Sequence, residues 1–225
     1  MANLESKNTV RVEQQNMNWV TFEGDPAGSP RIMIIGNSIT RHQPLPEIGW
    51  ENDWGMAASS KERDYAHLII SHVRSKHPNA AFCIVQAAVW ERTYTCCDYG
   101  ASFADALGFH PDVIVCAISA NIAAADFDRV DFVREIGLLH GYLSDGAHPH
   151  IIMTTSFFDN EEKTAAIKEY ASLVGGEVVE ISDLCHDEEN LAIGKHWHSG
   201  IEHHPGDVGM ARIAERIIKK LNKYL

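Results

Sequence analysis

Residues 31–40 read Arg-Ile-Met-Ile-Ile-Gly-Asn-Ser-Ile-Thr. The unbroken apolar run at 32–35 has the pattern of a strand covered on both faces, the kind that builds parallel sheets. Gly36 ends it and permits a sharp turn or the close approach of another segment. In such sheets ligands bind just beyond the carboxyl ends of the strands, and Ser38 falls at such an end. Two readings stand on this stretch alone. Ser38 is a nucleophile presented by the turn, or Asn37 and Ser38 cap the next helix.

The rest of the chain alternates strand and helix patterns around this one. Apolar runs at 81–88, 112–118, 151–155 and 178–181 read as further strands. Between them lie helical stripes: Tyr65, Leu68, Ile69 and Val73 within 63–76, and Phe132, Val133, Ile136, Leu139 and Leu143 within 128–143. A helix over 160–174 starts on Asn160 and stops at Gly175-Gly176. The last helix, 206–221, turns Met210, Ala214, Ile217, Ile218 and Leu221 inward. Residues 94–107 are mixed and partly helical. This pattern predicts one α/β domain over 31–225, a three-layer α/β/α sandwich on a five-stranded parallel sheet. Residues 1–30 form an extension with alternating Val10 and Val12, a short strand pattern at 19–22, and turn material around Gly24 and Gly28.

Composition narrows the function. The formal net charge of −12 argues against a nucleic acid or an anionic membrane as partner, since both require a basic face. Five cysteines at no metal or redox spacing fit a reducing compartment. The polar first eighteen residues hold no apolar signal core, and no run reaches membrane-spanning length. A cytoplasmic protein is expected, as a monomer or a homo-oligomer. The loop at 41–61 is too apolar for a solvent linker: Trp50 and Trp54 either cover core or form a platform for a sugar ring or acyl chain. Trp90 and Glu91, directly after the second strand, are candidate pocket residues.

A serine at neutral pH needs a base. His204 stands in His203-His204-Pro205-Gly206-Asp207-Val208-Gly209-Met210, just before the last helix, where a loop returns it to the strand ends. The first stretch is not the nucleophile elbow of α/β-hydrolases, which needs a glycine where Thr40 stands. Together, Gly36-Asn37-Ser38-Ile39 and the His204 stretch resemble the first and last blocks of the GDSL/SGNH esterase family, with Asn37 in place of the usual aspartate. The resemblance spans about residues 31–221. It implies an SGNH, flavodoxin-like fold and cleavage of an ester through an acyl-enzyme on Ser38 with His204 as base. It also implies oxyanion donors at the Ser38 N–H, the Ala88 N–H (where the family has glycine) and the Asn121 side chain.

The family's aspartate three residues before the histidine is Ile201 here. That departure implies a Ser-His dyad, unless Glu202, Glu91 or another acid reaches the imidazole. The tryptophan-bearing Pro46-Glu47-Ile48-Gly49-Trp50 loop resembles that of carbohydrate esterases and implies an acetylated sugar as the small-molecule substrate. A lipid or thioester hydrolase and a non-catalytic glycan-binding module are the rival readings. No cofactor is expected. His196, His198, His203 and His204 match no common zinc spacing, so no metal is expected either.

Overall fold

The structure, a computed structural model, describes residues 18–225. The alternation at Val10 and Val12 lies outside the described residues. Six strands form one sheet in the order β1-β3-β2-β4-β5-β6. They are β1 Val20–Glu23, β2 Arg31–Gly36, β3 Ala81–Gln86, β4 Val113–Ala117, β5 His150–Thr154 and β6 Glu177–Val179. The five expected strands are all present and parallel. The sixth, β1, comes from the 19–22 pattern in the extension and pairs antiparallel with β3. It covers what would otherwise be a bare edge of β3.

The two-residue alternation of side chains along each strand splits the core into two layers. Met33, Ile35, Cys83, Val85, Ile114 and Cys116 face one side, with α2 (Ala88–Thr93), α3 (Tyr99–Phe103), α4 (Arg129–Ser144) and α5 (Glu161–Leu173). Ile32, Ile34, Phe82, Ile84, Val113 and Val115 face the other, with α1 (Tyr65–Lys76) and α7 (Asp207–Leu221). Asp64, Asp128 and Asn160 each accept a backbone N–H at the start of a helix, as capping residues do.

The topology places the site. The chain runs from β2 to β3 on one side, then crosses back to β4 on the other, so strand order reverses at β2 and β4. Register sets Gly36 beside both Gln86 and Ala117. The segments that leave these three strand ends therefore start next to one another.

Candidate active site

Ser38 follows β2 in a tight turn, not in a helix, closed by Thr40 N–H and Arg41 N–H onto the Asn37 carbonyl at 2.9 and 3.0 Å. The capping reading is thereby removed. Gly36 is needed for this turn, because a Cβ there would collide with Thr40 Oγ1. The Ser38 carbonyl accepts from Met56 N–H at 2.8 Å, while the Ser38 N–H makes no hydrogen bond among the described residues.

His204 arrives from the far end of the chain. A one-turn helix, α6 (Ser199–Glu202), precedes it, and Gly209 lets the first turn of α7 pack on the Asn190 carbonyl, where a Cβ would clash. Ser38 Oγ and His204 Nε2 are 2.8 Å apart. Nδ1 of the same ring is 2.7 Å from the Gly200 carbonyl oxygen, one of the orphan carbonyls of α6. A carbonyl can only accept, so Nδ1 carries the proton and Nε2 presents its lone pair to the serine hydroxyl. Burial lowers the imidazole pKa to about 4, and the neighbouring His42, His203 and His198 push it the same way.

No carboxylate among the described residues touches the ring. Glu202 accepts from Gly194 N–H at 2.7 Å instead, and Glu91 lies under the site on other partners. Ile201 is buried in a small cluster with Trp50 and Met56, so the position of the family's aspartate is a packing anchor that docks the 41–61 loop on α6.

A cavity of about 170 Å³ opens on the pair, lined by Trp19, Ser38, His42, Met56, Gln86, Ala88, Arg92, Asn121 and His204. Ala88 sits on its wall as expected, but its N–H is taken by Gln86 Oε1 at 2.8 Å. Because that N–H can only donate, Gln86 must direct its oxygen there, which leaves Nε2 for the cavity. Asn121 also lines the cavity; Nδ2 donates to Glu91 Oε2 at 2.5 Å, and Oδ1 faces Arg92 Nη2 at 3.4 Å.

The tryptophans depart from expectation. The segment after β3 is a helix from Ala88 onward, so Trp90 turns into the core against Tyr94 and Phe132 and is 0% exposed. It lines no part of the cavity. Glu91, one residue on, is buried beneath the cavity wall and does not line it. Trp50 is 4% exposed, donates to the His42 carbonyl, and edges a separate 420 Å³ cavity. Trp54 donates to the Ala58 carbonyl within its own loop. Neither tryptophan lines the Ser38 cavity. The exposed tryptophan among the described residues is Trp197, at 66%, stacked on His196.

Gln86, Arg92, His42, Met56 and Trp19 line the cavity although no motif marks them. For Gln86 the one sequence signal is a polar residue at the end of an apolar strand run. His196 and His203 bond the carbonyls of Gly49 and Ser199, away from one another. All five cysteines are free thiols. No helix among the described residues is long and apolar enough to cross a membrane.

Comparison with known proteins yields no matching family model and no matching curated protein. Solved structures do match. A two-domain esterase active on acetylated mannans aligns at TM-score 0.55 and 16% identity over 86% of this chain. The chain spans about half the length of that esterase, 49%. The acetyl xylan esterase AlAXEase aligns at TM-score 0.53 and 13% identity, covering 85% of this chain and 99% of that one. The lipase/acylhydrolase from Enterococcus faecalis aligns at 0.54 and 12%, covering 85% and 94%. This chain has the SGNH hydrolase fold. At these identities the likeness establishes the architecture alone.

Proposed function

We propose that this SGNH-fold chain is a carboxylic ester hydrolase that removes short acyl groups, acetyl foremost, from sugars or short oligosaccharides. The observation that carries the reading is the Ser38 Oγ to His204 Nε2 contact at 2.8 Å, with the tautomer fixed by the Gly200 carbonyl. Ser38 attacks the ester carbonyl as His204 takes its proton. His204 then returns that proton to the leaving sugar oxygen. The tetrahedral oxyanion is held by the Ser38 N–H, Gln86 Nε2 and the second hydrogen of Asn121 Nδ2. Water, deprotonated by His204, cleaves the acyl-enzyme and releases the acid.

The size of the cavity bears on the acyl group. The cavity is smaller than the ~300–1,000 Å³ typical of pockets for larger ligands. That favours acetyl over a fatty-acyl chain. The sugar follows from esterases of the same fold described for acetylated mannans and as an acetyl xylan esterase. Five free thiols support a reducing, intracellular setting in which the substrate is an imported fragment.

The test is a chain-length series of p-nitrophenyl esters, followed by acetylated mannose and xylose oligosaccharides, on the purified chain. A steep optimum at acetate is expected, as is a fluorophosphonate adduct on Ser38. A long-chain optimum would sink the acetyl reading. Failure of Ser38 to label would favour a glycan-binding module, with the exposed Trp197 as its contact.

A further inference from the structure

We propose that the buried carboxylate of Glu91 is the positioning residue of the oxyanion site, locking the Asn121 amide in its donor orientation and tying together the segments that leave β2, β3 and β4. The inference rests on the ester-hydrolase reading for its catalytic consequence, and on geometry for the rest.

Glu91 is 1% exposed. It accepts three N–H groups: Asn37 Nδ2 at 3.1 Å, the Ser119 backbone N–H, and Asn121 Nδ2 at 2.5 Å. One donor comes from the turn carrying the nucleophile and two from the segment carrying Asn121, while Glu91 itself lies on the helix after β3. Burial pushes the carboxyl above the usual carboxylate range, against the pull of the three donors. The Asn37 oxygen is occupied by the Ile39 N–H, the Ser119 group is a backbone N–H, and the Asn121 oxygen faces the donor-only Arg92, so each neighbour presents a donor and a proton on this carboxyl would have no acceptor among them. The group works as an anion.

An acceptor-only group imposes direction. Asn121 must turn Nδ2, not Oδ1, toward Glu91. The next residue, Arg92, can only donate and faces Oδ1, so consecutive residues of α2 enforce the same orientation from both ends of the amide. With one Nδ2 hydrogen held by Glu91, the other is fixed for the cavity.

The backbone that carries Asn121 is held in the same way. Ser119 sits at φ +104°, a region a side chain rarely adopts. Its N–H is on Glu91. Its carbonyl accepts from Lys163 Nζ at 2.9 Å, and that ammonium also reaches the Ile122 carbonyl at 2.5 Å. Lys163 is itself buried, 6% exposed, and the Glu91 carboxylate favours its charged form.

The decisive variant is Glu91→Gln, which keeps shape but replaces one acceptor with a donor. The expected result is a fall in kcat of about 30–100-fold with KM within twofold, since an oxyanion donor acts mainly in the transition state. The Asn121 side-chain amide resonance, identified by its loss in Asn121→Asp, should move at the same time. This second readout needs no turnover, so it tests the positioning even if the wild-type protein hydrolyses no ester.

Adding Asn37→Asp to Glu91→Gln exchanges carboxylate and amide across their 3.1 Å bond. The introduced amide then donates to the introduced carboxylate and keeps its oxygen on Asn121. The Ser119 N–H stays without its acceptor, so recovery is partial. About tenfold of the lost kcat should return, and the amide resonance should move back. If Glu91→Gln is too unstable to purify, Glu91→Asp keeps the charge and withdraws it by one methylene. It should lower kcat with KM unchanged. An unmoved Asn121 resonance overturns the proposal. So does an unchanged kcat in Glu91→Gln, or a double variant slower than the single one.

Discussion

The two sides of the cavity are built differently. On one side stand Ser38 and His204, 166 positions apart in sequence but each fixed by its own neighbours. Ser38 is set by the turn that Gly36 permits, and His204 by a carbonyl four residues back. On the other side stand Gln86 and Asn121, whose donor directions come from other elements. Gln86 is turned by the N-terminus of α2, and Asn121 by Glu91 and Arg92 farther along that helix. The proposed reacting pair is locally encoded, whereas on the donor wall Gln86 is turned by a group two residues on and Asn121 by tertiary contacts about thirty positions away. Local encoding leaves motifs; tertiary assembly leaves residue types that look like ordinary core or turn positions.

The largest test of this contrast removes the reacting pair. Ser38→Ala and His204→Ala should each lower kcat by about 10⁴–10⁶, and the double variant should be little worse than either, because the two act as one unit. Steady-state turnover on an acetate ester reads this out. Additive losses would show that His204 does not serve Ser38.

The donor wall should fail by smaller steps. Asn121→Ala is expected to lower kcat by about 10²–10³ with a lesser change in KM. If KM alone rises, Asn121 contacts substrate and not the oxyanion. Gln86→Leu should cost about 10–100-fold in kcat, because it removes the Nε2 donor while keeping the side chain's bulk. That variant also frees the Ala88 N–H. A rise in kcat would restore the donor that the motif resemblance implies.

The pH profile sharpens the local side. In the proposed mechanism the neutral imidazole is the competent base, so activity should be present above its pKa and lost as pH falls through it. With that pKa lowered to about 4, kcat/KM should stay level from neutrality to about pH 5 and fall only below that. An acid limb near the ordinary imidazole value of about 6.5 would mean that the ring is solvated, or held by a carboxylate. Glu202→Gln should have the smallest effect, within about threefold, because its carboxylate sits on the Gly194 N–H. A loss near 10⁴ would instead identify Glu202 as a third member of the catalytic set.

The same division explains what can be read from the residues. The sandwich and its parallel strands follow from apolar periodicity, which local sequence displays directly. Ser38 and His204 follow from compact motifs at strand and helix ends. Trp90 reads as a pocket residue because helix α2 begins directly after β3, and the strand pattern masks that boundary. Trp50 and Trp54 look like a sugar platform, yet their indole N–H groups are satisfied by carbonyls of their own loop. Gln86 shows only as a polar residue at the end of an apolar strand run; its proposed donor role depends on the Ala88 N–H, which no side-chain pattern reveals. Glu91 is visible as an acid at a strand end, but its role is hidden, since its three partners lie 54, 28 and 30 positions away.

The burial of Ile201 bears on how such a site can change over generations. An aspartate three residues before the histidine would have to displace Ile201 from its contacts with Trp50 and Met56. An unpaired charge there costs about 3–5 kcal/mol, a large part of a domain's margin of about 5–15 kcal/mol. The same contacts anchor α6, whose Gly200 carbonyl orients His204, so the variant that gains an acid first loosens the helix that aims its base. An aspartate introduced at 201 would therefore meet a folding cost before it could serve the imidazole. The apolar cluster acts as a latch on the two-residue arrangement proposed here.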